Sequence, residues 1–78
     1  MNTAFMLMSM YNARVMIPSE QVARDWFDLT KAKFHEKIRS GEIQLPLMSM
    51  EDSQKSPRGV HILDLASYID QRRGAASK

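Results

Sequence analysis

Apolar positions recur with a helical period in most of this chain and with an extended character in three short stretches. From Asn2 to Asn12 the residues read NTAFMLMSMYN, and Phe5, Met8 and Tyr11 share a face at i, i+3 spacing. Leu, Met and Ala favour helix, so a first helix is expected here, although the alternation of Met6, Met8 and Met10 also suits a strand. Val15-Met16-Ile17 reads as extended, because a residue before proline is displaced from the α region. Pro18 or Ser19 then opens a second helix, proline fitting the first turn and serine serving as N-cap. Glu20 lies where the helix dipole favours an acid. Val22, Ala23, Trp26 and Phe27 follow as an apolar stripe of helical period, and this helix ends near Asp28.

Asp28-Leu29-Thr30 is a short connection into a third helix, capped by Thr30 and stopped by Gly41. Phe34 and Ile38, four residues apart, are expected to face the core. Two helices of about ten residues joined by so tight a turn have the form of a helix-turn-helix, and an ordinary helical hairpin fits the same pattern. The following segment, Ile43 to Met50, is interrupted by Pro46 and reads as an edge strand. Glu51 to Gly59 is polar and rich in turn formers, and Val60-His61-Ile62 is a β-branched return strand. The pair forms a hairpin with a long basic tip, a wing. Leu63 to about Arg73 closes the domain as a helix with Leu65, Ala66, Tyr68 and Ile69 on one face, and Gly74 to Lys78 is expected to fray. The fold class that results is α+β: a small winged helix-turn-helix occupying residues 1–78 as one domain.

Composition narrows the function. A chain of 78 residues buries only about 60% of the surface exposed by its unfolded form, so a partner subunit is a plausible source of stability. There is no cysteine, which excludes disulfides and thiolate zinc sites and fits a reducing compartment. Only His35 and His61 offer imidazole, and neither has a ligand set around it, so no cofactor or metal is expected. No stretch approaches the roughly 18 apolar residues of a membrane helix, and no positive charge precedes the apolar Ala4–Met8 as in a secretory signal. A soluble, cytoplasmic protein without membrane contact is expected.

The net charge is only +2, but it is unevenly spread. Residues 1–29 carry Arg14 and Arg24 against Glu20, Asp25 and Asp28, a net −1. Residues 30–41 carry Lys31, Lys33, Lys37 and Arg39 against Glu36 alone, a net +3, and residues 53–61 carry Lys55 and Arg58 with no acid. Two basic islands are compatible with a nucleic-acid footprint; a solvated basic helix face is the plainer alternative.

With Phe34 and Ile38 inward, Ala32, Lys33, Glu36, Arg39 and Ser40 point outward, with Lys31 and His35 on one flank and Lys37 on the other. A major groove accepts one helix and is read by its exposed side chains. Ala32 permits close approach, Lys33 reaches guanine acceptors, and Glu36 either accepts from a cytosine amino group or pairs with Lys33 or Arg39. At the wing tip Ser53, Gln54, Lys55 and Arg58 suit phosphate oxygens or a minor groove. Catalysis finds no support: the glycines at 41, 59 and 74 form no phosphate loop, and Ser-x-x-Lys, His-x-x-x-His and a cysteine nucleophile are all missing.

The stretches MNTAFMLM, MIPSEQVARDWF, SGEIQLPLMSMEDSQKS and RGVHILDLASYID resemble the pyocin activator (PrtN) family of phage-derived bacterial proteins over nearly the whole chain. More distantly, the helix-turn-helix followed by Ser-Gly-Glu and Leu-Pro is similar to phage excisionases and Cox- or AlpA-type regulators. The resemblance implies a transcriptional activator of prophage or pyocin-type genes. Its partner would be double-stranded DNA, bound as a homodimer or cooperative assembly, with RNA polymerase as a further candidate partner. It puts the recognition helix at Thr30–Ser40 and the wing at Ser53–Arg58. It also implies a basic residue where Ser49 stands, and hence one backbone contact fewer. An excisionase-like DNA-bending factor and an antirepressor that binds a host protein through the methionine-rich N-terminus are the alternatives.

Overall fold

The computed structural model describes residues 2–53 and 55–76. Helix α1, Thr3–Met10, starts from Asn2, whose side chain accepts a hydrogen bond from the Phe5 N–H. Asn12 and Ala13 adopt left-handed backbone and turn the chain into strand β1, Met16–Pro18. Helix α2, Ser19–Val22, passes without a break into a π-helical segment, Ala23–Phe27. Asp28 is left-handed (φ 54°) and reverses the chain. Helix α3, Lys31–Ser40, is capped by the Thr30 side chain, which accepts from the Lys33 N–H, and stopped by Gly41 at φ 88°. Strand β2, Gly59–His61, leads directly into helix α4, Ile62–Ala76.

The two strands pair antiparallel, with Ile17 opposite Val60 and Pro18 opposite Gly59. The expected edge strand over Ile43–Met50 is not a strand. That segment contributes one isolated bridge, in which Met48 and Gly59 exchange both backbone hydrogen bonds at 2.8 and 2.9 Å. Pro46 has no N–H to continue a ladder, and Ile43 and Leu45 are instead buried in the core. The main partner of the return strand is therefore β1, and that strand ends at His61 because Ile62 already belongs to α4. The C-terminal residues also differ from expectation: α4 continues through Gly74 to Ala76, with Ser77 and Lys78 outside the described residues.

Leu7, Tyr11, Ile17, Val22, Ala23, Phe34, Ile43, Leu45, Val60, Ile62, Leu65 and Ala66 form the core. Phe34 is fully buried and Ile38 packs against the core, as the i, i+4 spacing requires. On α1 the buried residue is Leu7, with Tyr11 just beyond the helix, while Phe5 is 60% exposed and Met8 faces solvent. Of the face that the i, i+3 spacing groups together, only Tyr11 is buried. Trp26 lies at the edge of the core, and its indole N–H donates to the Tyr11 hydroxyl at 2.8 Å, which in turn donates to Asp25 at 2.9 Å. An indole N–H needs a partner when covered, and this one ties the end of α1 to the π-helical segment.

Candidate nucleic-acid interface

The outward face of α3 carries Ala32, Lys33, Glu36, Arg39 and Ser40, all exposed. Lys33 and Glu36 form an ion pair at 3.7 Å with both side chains more than half exposed. Such a pair contributes little, so either group is available to another partner at small cost. The Ser40 hydroxyl donates to the Lys37 carbonyl at 3.0 Å and accepts from the Glu42 N–H at 3.4 Å, which engages it at the helix end.

The two flanks of α3 differ. Lys37 is half-buried, pairs with Glu42 at 3.6 Å, and lines a cleft with Phe27, Leu29, Ile43, Tyr68 and Arg72. It faces α4 and away from the opposite flank. On that opposite flank His35 is half-buried, with Nε2 2.8 Å from the Ser19 hydroxyl. Burial pushes its pKa below the usual histidine value, and the positive charges of Lys31, Arg39 and Arg58 push the same way. Arg58 comes from the far end of the loop expected to be the wing, so one cation of the second basic island lies within electrostatic reach of the same imidazole as Lys31 and Arg39.

That lowered pKa sets a pH dependence. The unfolded chain takes up a proton near pH 6.5 and the folded chain only at lower pH, so stability is complete above that value. It falls as pH drops below it and levels off once the folded-state pKa is passed. Thermal unfolding followed from pH 7.5 to 5 is expected to show this loss, and His35→Gln to remove that part of it. An identical pH profile in the variant would rule His35 out as its source.

The segment expected to form the wing is the loop beyond the Met48–Gly59 pair. In it Ser53 accepts twice, through its hydroxyl from the Lys55 N–H at 3.1 Å and through its carbonyl from the Ser56 N–H at 3.1 Å. At the base Ser49 donates to the Glu51 carbonyl at 2.7 Å. Lys55 and Arg58 are exposed, and the Arg58 carbonyl accepts from the Ser19 N–H at 3.1 Å. The expected Gln54 contact lies outside the described residues. Ser19 was not among the expected site residues. No local pattern marks it, since its two partners are distant in sequence.

A small α+β domain with helices around a two-stranded antiparallel sheet, a tight inter-helix turn and a basic loop is consistent with winged-helix architecture in general. The chain belongs to the family of the pyocin activator protein PrtN, whose sequence model matches residues 3–76. Comparison with curated proteins finds no match, and comparison with solved structures finds none either. Membership suggests a DNA-binding transcriptional regulator, and the regulators of this family are not enzymes. Among the described residues no helix is long and apolar enough to cross a membrane, and no group of three or more His, Cys, Asp or Glu could hold a metal.

Proposed function

We propose that this chain is a sequence-specific regulator that binds duplex DNA as a winged helix-turn-helix and activates prophage or pyocin-type genes. In this reading α3 enters the major groove and presents Ala32, Lys33, Glu36 and Arg39 to base edges, with Lys31 on the wing side. Lys55 and Arg58 contact the backbone or the minor groove. The observation that carries the reading is the junction at Ser19. Ser19 lies 2.8 Å from His35 Nε2 on α3 and donates its N–H to the Arg58 carbonyl at 3.1 Å, so the basic helix and the basic loop end meet close enough to approach a single duplex together. Family membership supports the same role.

A single module of this kind buries only about 600–1,000 Å² on DNA, so occupancy at low concentration calls for adjacent copies. Phe5, Met6 and Met10, each more than half exposed on the uncharged α1, supply adaptable apolar surface for contact between them.

The test is a binding titration against duplexes selected from random sequence. Lys33→Ala is expected to relax base preference at one position by about tenfold, within the range for a single base contact. Lys55→Ala should weaken binding to every duplex alike and reduce the salt slope by about one unit. Wild-type protein that binds no duplex at about 50 mM salt, where phosphate attraction is strong, would refute the reading.

A further inference from the structure

Apart from Tyr11 with its hydroxyl, Ser19 is the only polar side chain among the described residues that is buried, at 1% exposure. A hydroxyl there is costly unless it is hydrogen-bonded. Its partner is not the helix it begins: Pro18 occupies the N-cap of α2 and makes no side-chain cap. The hydroxyl instead lies 2.8 Å from His35 Nε2 on α3, while the Ser19 N–H donates to the Arg58 carbonyl at 3.1 Å. One residue therefore touches both the candidate recognition helix and the end of the wing.

Phe34 and Ile38 attach α3 to the core by apolar contact, and on the opposite flank the Lys37 carbonyl accepts from the Ile43 N–H at 3.2 Å, so on the Ser19 side the hydrogen bond to His35 is the directional tie. Apolar contact is non-directional. It resists separation of the helix from the core but tolerates a small rotation about the helix axis. A hydrogen bond has a preferred distance and angle, and base readout needs side chains held within about 10–20° of the productive geometry.

We propose that Ser19 and His35 are positioning residues for DNA recognition: their hydrogen bond sets the rotation of α3 relative to the strand end that carries Arg58. The exposed face at Ala32, Lys33, Glu36 and Arg39 and the wing then meet one duplex in a single register. The inference rests on the DNA-binding reading above, and it also makes a demand on the free protein. Neither residue has to touch DNA. The positive charges of Lys31 and Arg39 on its own helix and of Arg58 from the loop disfavour a charged imidazole, and its neutral form can bond Ser19.

Two measurements test it. The chain has no cysteine, so Glu36→Cys with Leu63→Cys, both at exposed positions, places spin labels on α3 and on the start of α4. Ser19→Ala is expected to broaden the distance distribution between them in the free protein. His35→Gln, whose amide can still bond the hydroxyl, should leave it narrow. In unlabelled protein Ser19→Ala should lower the preference for a selected site over scrambled duplex by about tenfold. That is the order expected for one lost hydrogen bond, and the salt slope should stay unchanged while His35→Gln retains the preference. Unchanged distances and preference in Ser19→Ala would overturn the proposal, as would equal weakening on selected and scrambled duplexes. Wild-type protein without duplex affinity would remove the recognition role together with the reading beneath it. The spin-label distances would then decide separately whether the bond orients α3.

Discussion

Replacing Phe34 by alanine is expected to remove most of the stability of this domain and all of its specific binding. The ring is fully buried, and it packs against Phe27 at a centroid distance of 5.1 Å, which packs in turn against Tyr68 at 5.7 Å. This aromatic row joins α3, the π-helical segment and α4, so truncation at one end opens a cavity where three elements meet. A buried Phe→Ala change costs about 3–5 kcal/mol. A domain of this length has about 4–12 kcal/mol in total, and the melting temperature should fall by something on the order of 20 °C. Lys33→Ala, one position away and exposed, is expected to stay within about 0.5 kcal/mol of the parent. Calorimetry or circular dichroism on the two variants checks the contrast. A midpoint for Phe34→Ala within a few degrees of the parent would mean that the ring does not anchor the helix.

Much of α3 can be read from the sequence because its determinants are local. Thr30 caps its own helix two turns before Ile38, Gly41 ends it with a backbone only glycine adopts freely, and the Phe34–Ile38 spacing defines the inner face. The same logic fails for α1, where TAFMLMSM is apolar nearly all round. Without polar contrast the period does not say which face is inward, and packing on α4 buries Leu7 while Phe5 and Met8 stay exposed. The sequence reads Gly74 as the start of a frayed tail, and a Cβ at that position would meet no neighbour within 4 Å. A single glycine costs a helix only about 1 kcal/mol, and α4 runs on to Ala76. Least legible were the contacts between distant segments. The β1–β2 pairing, the Ser19–His35 bond and the approach of Arg58 to α3 depend on which parts of the chain meet. The basic residues could be named from the sequence; that Ser19 would join His35 to the Arg58 carbonyl, and that Lys37 would turn towards Tyr68 and Arg72, could not.

The close approach at Gly59 leads to the second large effect. A Cβ at this position would sit 2.7 Å from Met16 Cγ and 2.8 Å from the Ile17 carbonyl oxygen. The Met16 side chain is flexible and can move aside. The Ile17 carbonyl is backbone in the paired strand and cannot move without shifting β1. Gly59 also exchanges two hydrogen bonds with Met48, and its preceding residue accepts from Ser19. Displacing it therefore strains the sheet, the anchor of the wing and the junction with α3 together. Gly59→Ala is expected to cost about 1–3 kcal/mol, as for other overpacked sites. It should abolish site preference even at temperatures where the variant is fully folded, because the wing loses its fixed origin before the core melts. Amide hydrogen exchange separates the two effects: protection should drop at Ser19, Met48 and Gly59 while Phe34 and Leu65 keep theirs. Parental protection at those three amides, together with parental site preference, would show that the strands accommodate a methyl group and that the wing is not held by this contact.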